Sequence, residues 1–266
     1  MKEFNYSRAD SLEAAVAEFQ GAGEARYLAG GQTLIPVLKQ RLASPTDLVD
    51  LAGVPGLERI SVDARAVTIG AMARHADVAA HADVKKAIPA LALLASGIGD
   101  PHVRNRGTIG GSLANNDPAA DYPAAVLGLG ATVKTNKREI AAEDFFQGLF
   151  TTALEEGEII TGVAFPIPRR AGYMKFPHPA SRFCLVAVLV SEGPAGVRVA
   201  VTGAGQEGVF RAGEMEAALA RSFTPAAIEG IGIAQDGMLS DIHAGADYRA
   251  HLVGVMARRA VAQAIG

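Results

Sequence analysis

Cysteine is almost missing from this chain: Cys184 stands alone among 266 residues. A single thiol excludes an internal disulfide. It also excludes an iron–sulfur cluster, which takes about four thiolates. Cys184 lies in the apolar run FCLVAVLV and reads as a small buried hydrophobe rather than a nucleophile. Long runs of one charge are missing too. With a formal net charge of −3, electrostatics give no reason to expect nucleic acid or an anionic membrane as partner. The longest apolar stretch, AIPALALLASGIG at 87–99, is interrupted by Pro89 and is too short to span a bilayer. The opening MKEFNYSRADS lacks the apolar core of a signal peptide, so a soluble, cytoplasmic protein is expected. The histidines (His75, His81, His102, His178, His243, His251) have no close metal-ligand spacing. Each reads as solvated or capping, and no metal site is expected. No nucleophile–base pair stands out, so no catalytic residue is assigned. Repeats and low-complexity segments are absent.

What is present is an ordinary globular balance, with 49% apolar and 20% charged residues. That is enough for a sizeable core in one large domain or two modest ones. Asp10 and Glu13 form a capping-box pattern with Asp10 as N-cap, and Leu12, Ala15, Val16 and Phe19 follow on one helical face. ARYLAGG reads as a strand ending in glycines, TLIPVLKQRL as a helix and DLVDLA as a strand. AVTIGA is a strand, followed by helical HADVAAHADV and PALALLASGI, then a polar loop, then helical PAAVLGLGA. ATVKT, REIAAEDFF and EIITGVAFPI are strand-like. Pro166, Pro168, Arg169 and Arg170 mark a boundary near 170. Beyond it YMKF, CLVAVLV and GVRVAVTGA predict a small antiparallel sheet, closed by a helix at about 247–265.

Two segments share a design. Ala29-Gly30-Gly31-Gln32-Thr33 and Thr108-Ile109-Gly110-Gly111-Ser112 each place paired glycines in a turn before a hydroxyl or amide side chain. Successive N–H groups in such turns form an anion nest, and a following helix adds partial positive charge. Neither loop carries a cation at its centre, so neutral donors would hold a diphosphate. Neither has the spacing of the dinucleotide fingerprint or of the P-loop. Asn115, Asn116, Asp117 and Asp121 fit two readings. They bond ribose or adenine edges, or Asn115 to Asp117 cap and turn the chain before Pro118.

AGGQTLIPVLKQR at 29–41 and DPHVRNRGTIGGSLANNDPAADYPA at 100–124 resemble the FAD-binding medium subunit of molybdenum hydroxylases, the carbon monoxide dehydrogenase and xanthine dehydrogenase family. The resemblance continues through FFQGLFTTALEEGEIITGVAFP at 145–166 and YMKFPHPASRF. It implies an α+β protein with an FAD-binding fold of the vanillyl-alcohol oxidase and para-cresol methylhydroxylase type. Residues 1–170 would form the FAD-binding domain, with subdomains at about 1–58 and 59–170. Residues 171–266 would form a C-terminal domain of small antiparallel sheet and helices.

By position, the resemblance assigns Ala29, Gly30, Gly31, Gln32, Thr33 and Leu34 to the cofactor from the first loop. From the second it assigns Thr108, Ile109, Gly110, Gly111 and Ser112, with Asn115 close to flavin and diphosphate. Asp121 matches the acidic residue at the adenosine end, Ile160 an apolar residue near adenine, and Lys175 a basic residue near the flavin. FAD would be bound non-covalently. The molybdenum cofactor and 2Fe–2S clusters would reside in a large and a small partner subunit, in a dimer of heterotrimers. The chain would pass electrons from those clusters through FAD to an external acceptor. Arg104 and Arg106 would offset phosphate charge, face a partner, or simply be exposed. Ser112 and Asn115-Asn116 depart from the carbon monoxide dehydrogenase pattern, and Phe183 stands where tyrosine is expected beside the isoalloxazine. The substrate therefore stays open. The competing readings are a self-sufficient small flavin oxidase and a non-catalytic interaction module.

Overall fold

The computed structural model describes residues 1–266. The N-terminal layer is a parallel sheet of β1 (Asn5–Arg8), β2 (Ala25–Leu28) and β3 (Asp47–Asp50), in the order β1-β3-β2. Its crossovers are α1 (Leu12–Gly21) and α2 (Leu34–Lys39). The cap of α1 lies one residue later than the sequence pattern suggested. Ser11, in extended backbone, accepts from the Ala14 N–H through its hydroxyl, so Asp10 is not the cap. Both residues are good caps; the backbone turn at Ser11 decides between them.

The second layer is an antiparallel sheet in the order β4 (Ile60–Val62), β5 (Ala66–Gly70), β10 (Ile160–Pro166), β6 (Thr132–Thr135), β7 (Glu139–Ala141). β4 (Ile60–Val62) and β5 (Ala66–Gly70) enter it first. A helical excursion then runs through α3 (His75–Ala80), α4 (Ala82–Ala87), α5 (Pro89–Ser96), α6 (Pro101–Arg104), α7 (Ile109–Asn115) and α8 (Tyr122–Leu129). The polar "loop" of the sequence reading is thus largely helix, with its paired glycines in the first turn of α7. β6 (Thr132–Thr135) and β7 (Glu139–Ala141) return to the sheet. The expected strand REIAAEDFF breaks after Ala141 into α9 (Ala142–Phe145), and β8 (Phe146–Gly148) and β9 (Thr151–Thr152) make a small hairpin before β10 (Ile160–Pro166).

The third layer is an antiparallel sheet of β11 (Arg170–Pro177), β12 (Cys184–Gly193), β13 (Gly196–Gly205) and β14 (Gly208–Arg211). α10 (Gly213–Arg221) and α11 (Ala246–Ile265) cover one face, sealing a core of 20 buried residues. The other face takes α8. Every residue of α8 is buried, which explains a helix with no charged side chain. A Cβ on Gly128 would lie 2.7 Å from Leu189, so α8 packs almost backbone to sheet. The main core of 33 buried residues therefore runs from Val67 across the Pro166–Arg170 link to Ala200. No helix is long and apolar enough to cross a membrane.

Candidate functional site

The first glycine loop follows β2 and opens α2. Gly31 has φ of +71°, left-handed backbone that a side chain would strain. The N–H groups of Gly30, Gly31, Gln32 and Thr33 meet no acceptor in the chain. Thr33 gives α2 no side-chain cap. Four successive unpartnered donors at an uncapped helix start are the donor set that an anion nest requires. Gln32 and Thr33 are exposed, Leu34 is half-buried at the first position of α2, and Gln32 reaches back to the Gly30 carbonyl at 3.3 Å.

The second loop is built differently, and the expectation of a second nest is corrected. Residues 71–75 run beside 107–110 and take their donors: Gly110 N–H bonds Ala71 O at 2.8 Å and Ile109 N–H bonds Ala73 O at 3.2 Å. Thr108 caps α7 by accepting the Gly111 N–H on Oγ1. Only the Thr108 N–H and the Ser112 hydroxyl remain without partners here. Gly110 serves packing, since a Cβ on it would stand 2.6 Å from Ala71 Cβ.

The two loops meet. A Cβ on Gly30 would be 2.3 Å from Arg106 O, and one on Gly111 would be 3.6 Å from Ala29 Cβ. The nest of the first loop is therefore held against the start of α7, leaving backbone and small polar groups between them. A phosphate-bearing cofactor fits this donor set.

Other assigned residues divide. Asn115 is half-buried at the end of α7 with its amide unpaired. Asn116, at φ 43° and buried, donates to Gly148 O and Thr151 O, and Asp117 accepts from the Ala119 N–H. These two follow the capping-and-turning reading. Ile160 belongs to the main core and is only 5% exposed. Asp121 and Lys175 were expected at opposite ends of the nucleotide. The structure joins them in one ion pair at 2.8 Å, both largely buried. Tyr173 also donates to Asp121, and Lys175 donates to Gly97 O. Burial pushes the Asp121 carboxyl above its ordinary range, against the opposing pull of Lys175 and Tyr173. Arg104 is tied to the Ile98 and Gly99 carbonyls, whereas Arg106 is exposed. Phe183 is 60% exposed on the link between β11 and β12.

Two residues escaped the sequence reading. His75 was grouped with solvated or capping histidines, yet it is buried under Gly107. Its backbone N–H bonds Gly107 O at 3.0 Å, and its Nε2 lies 2.6 Å from where a Gly107 Cβ would be. Burial, then the Arg104 charge, lowers its pKa to about 4. No local pattern marks it, because the contact with 107 is tertiary. Tyr173 carries a signal that could have found it: in a strand it shares a face with Lys175, two residues on.

Comparison with known proteins gives the family. Residues 2–168 match the family described as "FAD binding domain in molybdopterin dehydrogenase". The chain is 34% identical to the nicotine 6-hydroxylase medium subunit of Paenarthrobacter nicotinovorans, over 97% of this chain and 96% of that one. It is 35% identical to the carbon monoxide dehydrogenase medium chain of Afipia carboxidovorans, over 98% and 96%. Reconstituted CO dehydrogenase from Oligotropha carboxidovorans superposes with a TM-score of 0.89 at 32% identity, covering 99% of this chain and 98% of that one. Quinoline 2-oxidoreductase from Pseudomonas putida 86 gives 0.88 at 31%, with the same coverage. The chain belongs to the FAD-binding medium subunits of the molybdenum hydroxylase family, which are oxidoreductase components.

Proposed function

We propose that this chain is the electron-transfer subunit of a molybdenum hydroxylase complex, holding FAD non-covalently where the two glycine loops meet. The observation that carries the reading is the row of unpartnered N–H groups at Gly30–Thr33, pressed against the Arg106–Gly107 peptide. These donors would hold the diphosphate, with the Thr108 N–H, the Ser112 hydroxyl and the Asn115 amide as further polar contacts. When bound, the flavin supplies the one- and two-electron chemistry for relaying electrons from 2Fe–2S clusters of a partner to an external acceptor. The protein's part is to bind and orient it and to keep water from its phosphates. The roles of Asp121, Ile160 and Lys175 toward FAD rest on resemblance. Their ion pair gives Asp121 and Lys175 a second task, joining the domains at 1–170 and 171–266. The change of sheet between Pro166 and Arg170 supports that division.

The clusters must lie in another subunit, because the one cysteine here is buried and unpaired. Relatives matched over nearly their full length are named medium chains or medium subunits, which favours a complex over a self-sufficient oxidase. The proposed assembly is a dimer of heterotrimers with a small iron–sulfur and a large molybdenum subunit, in the cytoplasm and without nucleic acid. The test is to purify the chain alone and titrate it with FAD. Stoichiometric flavin with negligible oxidation of organic substrates is expected. Failure to retain FAD, or robust turnover by the chain alone, would overturn the reading.

A further inference from the structure

Away from the two glycine loops, a solvent-open pocket of about 500 Å³ lies at the junction between the domains. It shares no residue with the loops described above. Its lining combines apolar Ile88, Leu93 and Pro168 with the cationic side chains of Lys86, Arg169 and Arg170. Lys86 forms no ion pair. Arg169 is well exposed and reaches Glu192 only at 3.5 Å. Arg170 is fixed from two sides. Its Nε donates to Glu192 at 2.7 Å, and its guanidinium carbon sits 3.9 Å from the centre of the Phe223 ring. Its terminal nitrogens, Nη1 and Nη2, have no partner in the chain.

An immobilised guanidinium with its fork unused is preorganised for a carboxylate, because little side-chain entropy remains to be lost on binding. The cavity lies within the range of roughly 300–1,000 Å³ typical of small-molecule sites. A bare inorganic anion would leave the apolar lining wet. A purely apolar ligand would cover the Lys86 ammonium and the unpartnered Arg170 nitrogens without bonding them.

We propose that this cavity binds a small organic carboxylate with a ring or short hydrocarbon body. The carboxylate lies on Arg170 and Lys86, and the body covers Ile88, Leu93 and Pro168. Its walls come from both domains, with Gln263 and Ala264 of α11 facing the α4–α5 arm. A bound ligand therefore ties the domains together and raises the stability of the chain through mass action.

The test uses the full-length chain loaded with FAD and benzoate as probe, by calorimetric titration and thermal melting. Saturable binding and a concentration-dependent rise in Tm are expected. Benzyl alcohol and inorganic phosphate should bind at least about tenfold more weakly. The Lys86→Gln Arg169→Gln double variant changes only exposed side chains. It should keep the Tm of the ligand-free chain and lose about tenfold in benzoate affinity. A short peptide ending in phenylalanine, compared with its amidated form, separates two sources. Tighter binding of the acid peptide than of benzoate supports the site and identifies a protein tail as its occupant. No saturation with any acid, equal affinity for benzoate and benzyl alcohol, or unchanged affinity in the double variant would overturn the proposal.

Discussion

A Cβ on Gly30 would stand 2.7 Å from the Cα of Gly107 and 2.3 Å from the carbonyl oxygen of Arg106. Backbone meets backbone there, so nothing flexible can give way. Gly30→Ala should push the first loop off the start of α7 and spread the donors that face a diphosphate. FAD affinity should fall by at least about tenfold, equivalent to roughly 1.4 kcal/mol. Fluorescence titration checks it, and an unchanged dissociation constant would show that the two loops do not act on one ligand.

Thr108 and Ser112 make different contributions although both are small hydroxyl residues at the start of α7. Thr108 accepts the Gly111 N–H and caps the helix, whereas the Ser112 hydroxyl bonds nothing in the chain. Thr108→Ala should cost about 1 kcal/mol of stability with or without FAD. Ser112→Ala should leave the melting temperature of the FAD-free chain unchanged and weaken FAD binding by a few-fold. Paired melting curves and titrations separate the two effects.

That difference also marks how far the sequence could be read. Paired glycines before a hydroxyl pointed to both loops, and the first keeps the free N–H groups that a nest needs, since nothing else in the chain bonds them. The second failed as a nest for two reasons, one of them local: Thr108 takes the Gly111 and Ser112 N–H groups. The Ile109 and Gly110 donors are claimed by Ala73 and Ala71, 36 and 39 residues earlier, and no pattern inside 107–112 announces that pairing. Strands such as β12 and β13 were plain from their apolar runs, since each is buried on both faces. α8 was legible for the same reason. The Asp10 cap and the strand REIAAEDFF went wrong at element ends, where one turn of backbone decides and local propensities are nearly equal.

Lys175 neutralises a carboxylate that burial has moved out of reach of water. Lys175→Met should therefore strand Asp121 and destabilise the chain by roughly 3–5 kcal/mol. Adding Asp121→Asn removes the stranded charge, so the double variant should recover a good part of the loss. Chemical denaturation of the four chains measures the coupling. Additive losses would mean that the pair does not act as one unit.

His75 should make the native state sensitive to mild acid. Its folded pKa of about 4 lies below the ordinary value of 6.5, because burial and Arg104 oppose its charge. As pH falls, the unfolded chain takes up this proton first, so stability is lost through the window from 6.5 down to about 4. At about 1.4 kcal/mol per unit, the loss is on the order of 3 kcal/mol. Asp121 acts with the opposite sign: its raised pKa means that the native chain takes the proton first, which favours folding as acid is added. That contribution is common to wild type and to His75→Gln, so it cancels in their difference. The variant should show a shallower dependence of stability on pH in this window, by about one proton, while its dependence above pH 7 stays the same. Urea denaturation at several pH values gives both slopes, and coincident slopes would mean that His75 is not held neutral under Gly107.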